Sequence, residues 1–185
     1  MNGLILSGGE SKRAGTDKGL KLLDGKPWVE IMRHKLLSLG LEVKVSINAT
    51  QLETYKSTIA PENLVIDDVT IPGPLRGILT AHAHYPENDW LVLACDQIDM
   101  KSETIKKLID GFNKNSDFDF YVYKNEKRYQ PFCGIYTSIG LKKLLNAYRK
   151  KHDENYSMQH VFDNFNTFTL AVGEMDQSSF NNYNK

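Results

Sequence analysis

Short apolar runs alternate along this chain with longer amphipathic stretches, and the two rhythms predict strands and helices in turn. Residues 3–6 (Gly-Leu-Ile-Leu) form a strand-length run that breaks on Ser7 and a double glycine. Leu20, Leu22 and Leu23 then alternate with polar residues into an Asp24-Gly25 turn. Pro27 suits the first position of a helix reaching residue 39, with Gly40 as its stop and Ile31, Leu36, Leu37 and Leu39 as its buried stripe. A strand over 42–47 ends at Asn48 and leads into a short helix through Tyr55, and Leu64-Val65-Ile66 ends on Asp67-Asp68. Pro72-Gly73-Pro74-Leu75-Arg76-Gly77 is a rigid shaped loop opening a helix that runs to His84. Residues 90–95 are almost continuously apolar, the mark of a central strand covered on both faces, and they end on Asp96.

The second half continues in the same alternation. A helix over 101–112 has Ser102 or Asp99 as candidate caps. Strands over 118–123 and 131–136 flank a charged hairpin, and a helix over 138–151 is basic at its end, as the macrodipole favours. Ser157 is placed to cap a short helix through Phe162, a late strand covers 165–172, and the tail over 178–185 is polar and rich in asparagine. Strands separated by helices of this length read as βαβ units, so the expected class is α/β, one domain over 1–185 with a mainly parallel sheet. Ligands of such sheets lie beyond the carboxyl ends of the strands. Ser7, Asn48, Asp68 and Asp96 each follow such an end, so they are the first candidates for a site.

Composition narrows the guests. The 185 residues carry 23 basic and 23 acidic side chains, which leaves no electrostatic footprint for nucleic acid and makes any anion site local. Cys95 and Cys133 stand far apart without metal-ligand spacing and are expected to be reduced core residues. No apolar run approaches membrane length and no charged leader precedes one, so a cytoplasmic protein is expected.

The opening loop carries the sharpest chemistry. Gly8 and Gly9 let the backbone turn and approach a ligand closely, and successive N–H groups of such a turn suit an anion. Arg13 and Lys18 add a planar fork and a compact ammonium, so phosphate is the natural guest, although a flexible basic surface loop has the same composition. Neither G-x-x-x-x-G-K-[ST] nor G-x-G-x-x-G is present, which argues against a P-loop NTPase and an ordinary dinucleotide fold. Asp96, at the end of a buried strand, suits a hard cation such as Mg²⁺, which takes one or two carboxylates plus substrate phosphates. Capping of the next helix is the alternative role. His82 and His84, two apart on a helix, face different directions and are expected at the surface. A hydrolase triad finds no G-x-S-x-G elbow.

Taken whole, Leu6-Ser7-Gly8-Gly9-x-Ser11-x-Arg13-x-Gly15-x-Asp17-Lys18 resembles the L-x-G-G-x-S-x-R-M-G-x-D-K signature of molybdenum cofactor guanylyltransferases, the MobA-like nucleotidyltransferases. Ser7 stands where alanine is usual, and Ala14 where methionine is usual. Gly73-Pro74-Leu75-x-Gly77 resembles the family's G-P-L-x-G loop, Cys95-Asp96 its C-D-x-P motif with Ile98 in place of proline, and residues 180–184 its F-x-N-x-N. The resemblance implies a Rossmann-like three-layer αβα fold of the nucleotide-diphospho-sugar transferase type. It implies GMP transfer from GTP to the phosphate of molybdenum-molybdopterin, with Mg²⁺ as cofactor, and contacts with cofactor-delivering proteins or molybdoenzymes. By resemblance Leu6, Ser7, Gly8, Gly9, Lys18, Asn48, Asp68 and Asp96 meet the nucleotide and Gly73 lies beside it. Lys18, Arg13 and Asp96 are then the catalytic set, Asp96 holds the metal, and Asn182 and Asn184 approach the metal or the acceptor. A cytidylyltransferase for the same cofactor, a sugar-phosphate nucleotidyltransferase and a nucleotide-binding protein without turnover remain the alternatives.

Overall fold

The computed structural model describes residues 1–8, 17–150, 155–181 and 183. Nine strands alternate with helices among these: β1 (Asn2–Leu6), β2 (Leu22–Leu23), β3 (Lys26–Pro27), α1 (Trp28–Leu37), β4 (Val43–Ile47), α2 (Leu52–Tyr55), β5 (Leu64–Ile66), α3 (Leu75–His84), β6 (Trp90–Ala94), α4 (Ser102–Lys114), β7 (Phe120–Lys124), β8 (Tyr129–Tyr136), α5 (Ser138–Arg149), α6 (Met158–Asn164) and β9 (Thr167–Ala171). Seven strands form one sheet in the order β5-β4-β1-β6-β8-β7-β9, and β2 and β3 form a separate small hairpin. Within the large sheet every pairing is parallel except those of β8, which runs antiparallel to both β6 and β7. The expected α/β class with a mainly parallel sheet is what the chain forms.

Alternation along the strands divides the apolar residues between two cores. Ile5, Val45, Leu91, Leu93, Tyr121 and Ile135 pack with Val29, Met32 and Leu36 of α1 and Ile105 and Leu108 of α4. Leu4, Val65, Trp90, Val92, Phe120 and Tyr136 point the other way, onto Leu75, Ile78 and Leu79 of α3, Leu141 and Leu144 of α5 and Phe162 of α6. Helices therefore cover both faces, which is why β6 is buried at all five positions. Cys95 and Cys133 are buried free thiols in the first of these cores, as expected. Among the described residues no helix is long and apolar enough to cross a membrane.

Several local expectations shift. Helix α1 stops at Leu37, where Gly40 adopts φ +79° and the Leu41 N–H returns to the Leu36 carbonyl at 3.3 Å. Its buried face is Trp28, Val29, Met32 and Leu36 rather than a stripe through Ile31, which is only half-buried. Neither Ser102 nor Asp99 caps α4: the Lys101 N–H ahead of the helix donates to Ser179 Oγ at 3.2 Å. His82 is not a surface residue. It is 4% exposed, burial lowers its pKa, and Nδ1 is buried without a hydrogen-bond partner, which suits the neutral ring.

The polar C-terminal stretch folds back as a 3-10 helix over Glu174–Phe180. Asp176 is buried there and takes Lys107 Nζ at 2.8 Å and Thr104 Oγ1 at 2.8 Å, while the Phe180 ring packs on Tyr123. Burial works against the Asp176 carboxylate, but these hydrogen bonds and the charges of Lys107 and Lys101 outweigh it and hold the pKa below the usual range.

Candidate functional site

Four parallel strands, β5, β4, β1 and β6, end on the same edge of the sheet, and the ladder continues past them. The Ser7 N–H donates to the Ser46 carbonyl at 2.9 Å, Cys95 N–H to Leu6 at 3.1 Å, and Asp67 N–H to Ile47 at 2.8 Å. Three loops are thereby held side by side, carrying Ser7-Gly8, Asn48 and Asp67. At Gly8 a Cβ would lie 2.5 Å from Asp67 Oδ2 and 3.3 Å from the Asn48 nitrogen, so a side chain there would have to displace the Asp67 carboxylate. Helix α3 approaches as closely: a side chain on Gly77 would strike Ser46 Oγ and Leu6.

Lys18 and Asp96, 78 residues apart, meet on this edge with Nζ and Oδ2 separated by 3.3 Å. Each is held from behind. Asp17 caps the 3-10 turn Lys18–Leu20 by accepting from the Gly19 N–H at 3.0 Å. Its carboxylate also accepts from Tyr55 Oη at 2.8 Å and from the Gln51 amide, which donates in addition to the Ser7 carbonyl at 3.0 Å. Ser7 Oγ lies 2.5 Å from the same Tyr55 hydroxyl. Burial, foremost, drives the Tyr55 pKa well above its ordinary value, so the phenol stays protonated and donates. On the other side Gln97 ties the Asp96 turn down, accepting from the Ala94 N–H at 3.2 Å and donating to the Phe132 carbonyl at 3.0 Å.

The remaining sequence candidates are distributed unevenly. Asn48 sits beside Gly8, its N–H bound to Gln51 Oε1 at 2.8 Å and its Oδ1 accepting from Thr50 Oγ1 at 2.5 Å. Asp68 is exposed and lies 3.0 Å from His84 Nε2. Its neighbour Asp67 is half-buried, accepts from Ser46 Oγ at 2.7 Å, and has its pKa raised chiefly by burial. Gly73 is exposed with φ +72° in the loop before α3. Gly9, Arg13, Asn182 and Asn184 lie outside the described residues.

Sequence reasoning passed over Tyr55, Gln51 and Asp67 as site-supporting residues. One signal was available: a serine hydroxyl at the end of a buried strand demands a partner, and Tyr55 supplies it.

The donor set on the edge is suited to Mg²⁺. Asp96 is half-buried there, in contact with Lys18, and Asp67 is a second half-buried carboxylate further along the edge. Mg²⁺ is bound in that manner, through one or two carboxylates completed by water and substrate phosphates.

Residues 3–164 match the family model described as the MobA-like NTP transferase domain. A molybdenum cofactor biosynthesis bifunctional protein from Synechocystis is 30% identical over 80% of this chain, and the chain spans 42% of that relative's length. A protein described as a probable molybdenum cofactor guanylyltransferase from Methanothermobacter thermautotrophicus is 28% identical over 98% of this chain and 93% of its own. Among solved structures, the molybdopterin-guanine dinucleotide biosynthesis protein A of Archaeoglobus fulgidus shares the fold, with a TM-score of 0.77 and 21% identity over 100% of this chain and 93% of that one.

Proposed function

The chain belongs to the MobA-like NTP transferase domain family, and we propose that it transfers GMP from GTP to the terminal phosphate of molybdenum-molybdopterin, releasing pyrophosphate. The placement of Gly8 at the end of β1 and of the Lys18–Asp96 pair on the same sheet edge is the observation that carries this reading. The substrate pair is supported by the similarity to the probable molybdenum cofactor guanylyltransferase of Methanothermobacter thermautotrophicus.

The chemistry asks little of the protein in proton transfer. A phosphate monoester has a second pKa near 6 and is largely dianionic at neutral pH, so the acceptor attacks without a general base. Attack at the α-phosphorus forms one P–O bond and breaks the bond to the β-phosphate, and pyrophosphate leaves with its electron pair. What the reaction needs is neutralisation of triphosphate charge and in-line placement. Lys18 supplies an ammonium for a phosphate oxygen, and Arg13 is assigned a second cationic contact. Gly8, lacking a side chain, lets the strand end run close to the nucleotide, while Asn48 and Asp68 supply acceptors for N–H or hydroxyl donors of base and ribose. Asp96 would hold Mg²⁺, which when bound offsets phosphate charge during displacement; Asn182 and Asn184 are assigned to the metal or the acceptor.

Thermal unfolding with Mg²⁺ and each of GTP, CTP, ATP and UTP tests nucleotide choice. A ligand at 100-fold its Kd adds about 2.7 kcal/mol, or ~5–10 °C for a chain of this length. A shift confined to GTP and lost in Asn48→Ala is expected. A larger shift with CTP would move the protein to the cytidylyl relatives, and no shift with any nucleotide would remove the glycine turn from phosphate binding.

A further inference from the structure

The Asp96 turn is fastened to the body of the protein by a lysine from another element. Lys35, on α1, sends its ammonium into the turn that follows β6, where Nζ donates to the Ile98 carbonyl and to the Met100 carbonyl at 2.9 Å. Those carbonyls are 63 and 65 residues away in sequence, so the contact is tertiary. Lys35 is half-buried, and burial lowers its pKa against the raising influence of Asp99. An ammonium is rarely withdrawn from water without compensating partners. Here two carbonyl dipoles and a nearby carboxylate supply them. Asp99 is itself held, accepting from Tyr183 Oη at 2.6 Å.

We propose that Lys35 is a positioning residue for metal binding: by clamping the carbonyls of Ile98 and Met100 to α1, it fixes the turn that aims the Asp96 carboxylate at the site. This rests on reading Asp96 as the metal carboxylate. Ile98 gives the turn no ring to restrict φ. The side of the turn facing Gln97 is tied to β6 and β8, and Lys35 ties the other. Partners that orient a ligating carboxylate typically contribute 10–100-fold to metal affinity. Lys35 acts one step further out, on the backbone that follows Asp96, whose carboxylate itself meets Lys18.

The sign of the effect separates positioning from simple charge. Loss of a positive charge near a cation site tightens metal by relieving Coulomb repulsion, whereas loss of a clamp weakens it. Mn²⁺ affinity in the presence of GTP is measured by electron paramagnetic resonance for the wild type, Lys35→Met and Asp96→Asn. GTP affinity without divalent ion is measured alongside. Lys35→Met is expected to weaken Mn²⁺ by about tenfold while leaving metal-free GTP affinity unchanged. Should Lys35→Met fail to fold, Lys35→Gln, too short to bridge both carbonyls, carries the same expectation. Unchanged or tighter Mn²⁺ binding in the folded variant overturns the clamp. Wild-type Mn²⁺ affinity in Asp96→Asn overturns the metal reading itself, whatever Lys35 does.

Discussion

Tyr55→Phe is the most informative single-atom change, because one hydroxyl joins Ser7 at the end of β1 to Asp17. Tyr55 Oη sits 2.5 Å from Ser7 Oγ and donates to Asp17 Oδ1 at 2.8 Å, in a place where Tyr55 is fully buried. The change keeps the ring and its packing, so no cavity larger than one oxygen forms. It removes a hydrogen bond to a carboxylate, worth ~1.5–3 kcal/mol, and a neutral one worth about 1 kcal/mol. Asp17 retains the Gly19 N–H and the Gln51 amide, so part of this is recovered, and a net loss of about 2 kcal/mol is expected. For a chain of this length that lowers Tm by ~4–8 °C.

Ser7→Ala serves as the comparison. It leaves the Tyr55 donation to Asp17 intact and should cost no more than about 1 kcal/mol. Urea titration of both variants and the double variant gives the coupling directly. The KM for Mg²⁺-GTP should rise in Tyr55→Phe, because Asp17 shapes the turn that carries Lys18. A Tyr55→Phe cost under about 0.5 kcal/mol, or a Ser7→Ala cost equal to it, would refute the claim that this hydroxyl ties Ser7 to Asp17.

Three further outcomes are expected. Asp96→Ala should abolish Mg²⁺-dependent pyrophosphate release while its melting curve stays cooperative; normal turnover would take Asp96 out of the metal role. Lys18→Ala should weaken nucleotide binding, and calorimetry showing unchanged GTP affinity would place Lys18 elsewhere. Asp176 has a folded pKa below the unfolded value, so its stabilisation is present above about pH 4 and is lost as pH falls through the lowered folded value. Asp176→Asn should therefore be less stable than wild type at pH 7, with the gap narrowing in acid unfolding curves. A gap that stays constant with pH would show that charge plays no part.

Much of the architecture was legible because each strand is short, apolar and punctuated. β5 and β6 end on aspartates, β1 on a serine and two glycines, and β4 on Asn48, so the edge carrying the site could be named from sequence. Parallel pairing then aligns those ends automatically. What was hidden is tertiary. Lys35 reads as a solvated helix lysine until α1 is laid beside the turn after β6. Tyr55 reads as core, and nothing local distinguishes Asp67 from Asp68. Only the fold shows that Asp67 faces Gly8 while Asp68 meets His84. The Asp176 latch escaped for the same reason: its partners Thr104 and Lys107 lie 72 and 69 residues earlier.

The most direct test follows the label. GTP carrying ³²P at the α-position is incubated with the protein, Mg²⁺ and molybdenum-molybdopterin, and a parallel reaction carries it at the γ-position. Guanylyl transfer predicts that α-label enters the acceptor as a guanine dinucleotide and that γ-label appears in pyrophosphate, both lost in Asp96→Ala. Release of γ-label as inorganic phosphate without acceptor labelling, or equal transfer from CTP, would contradict the account.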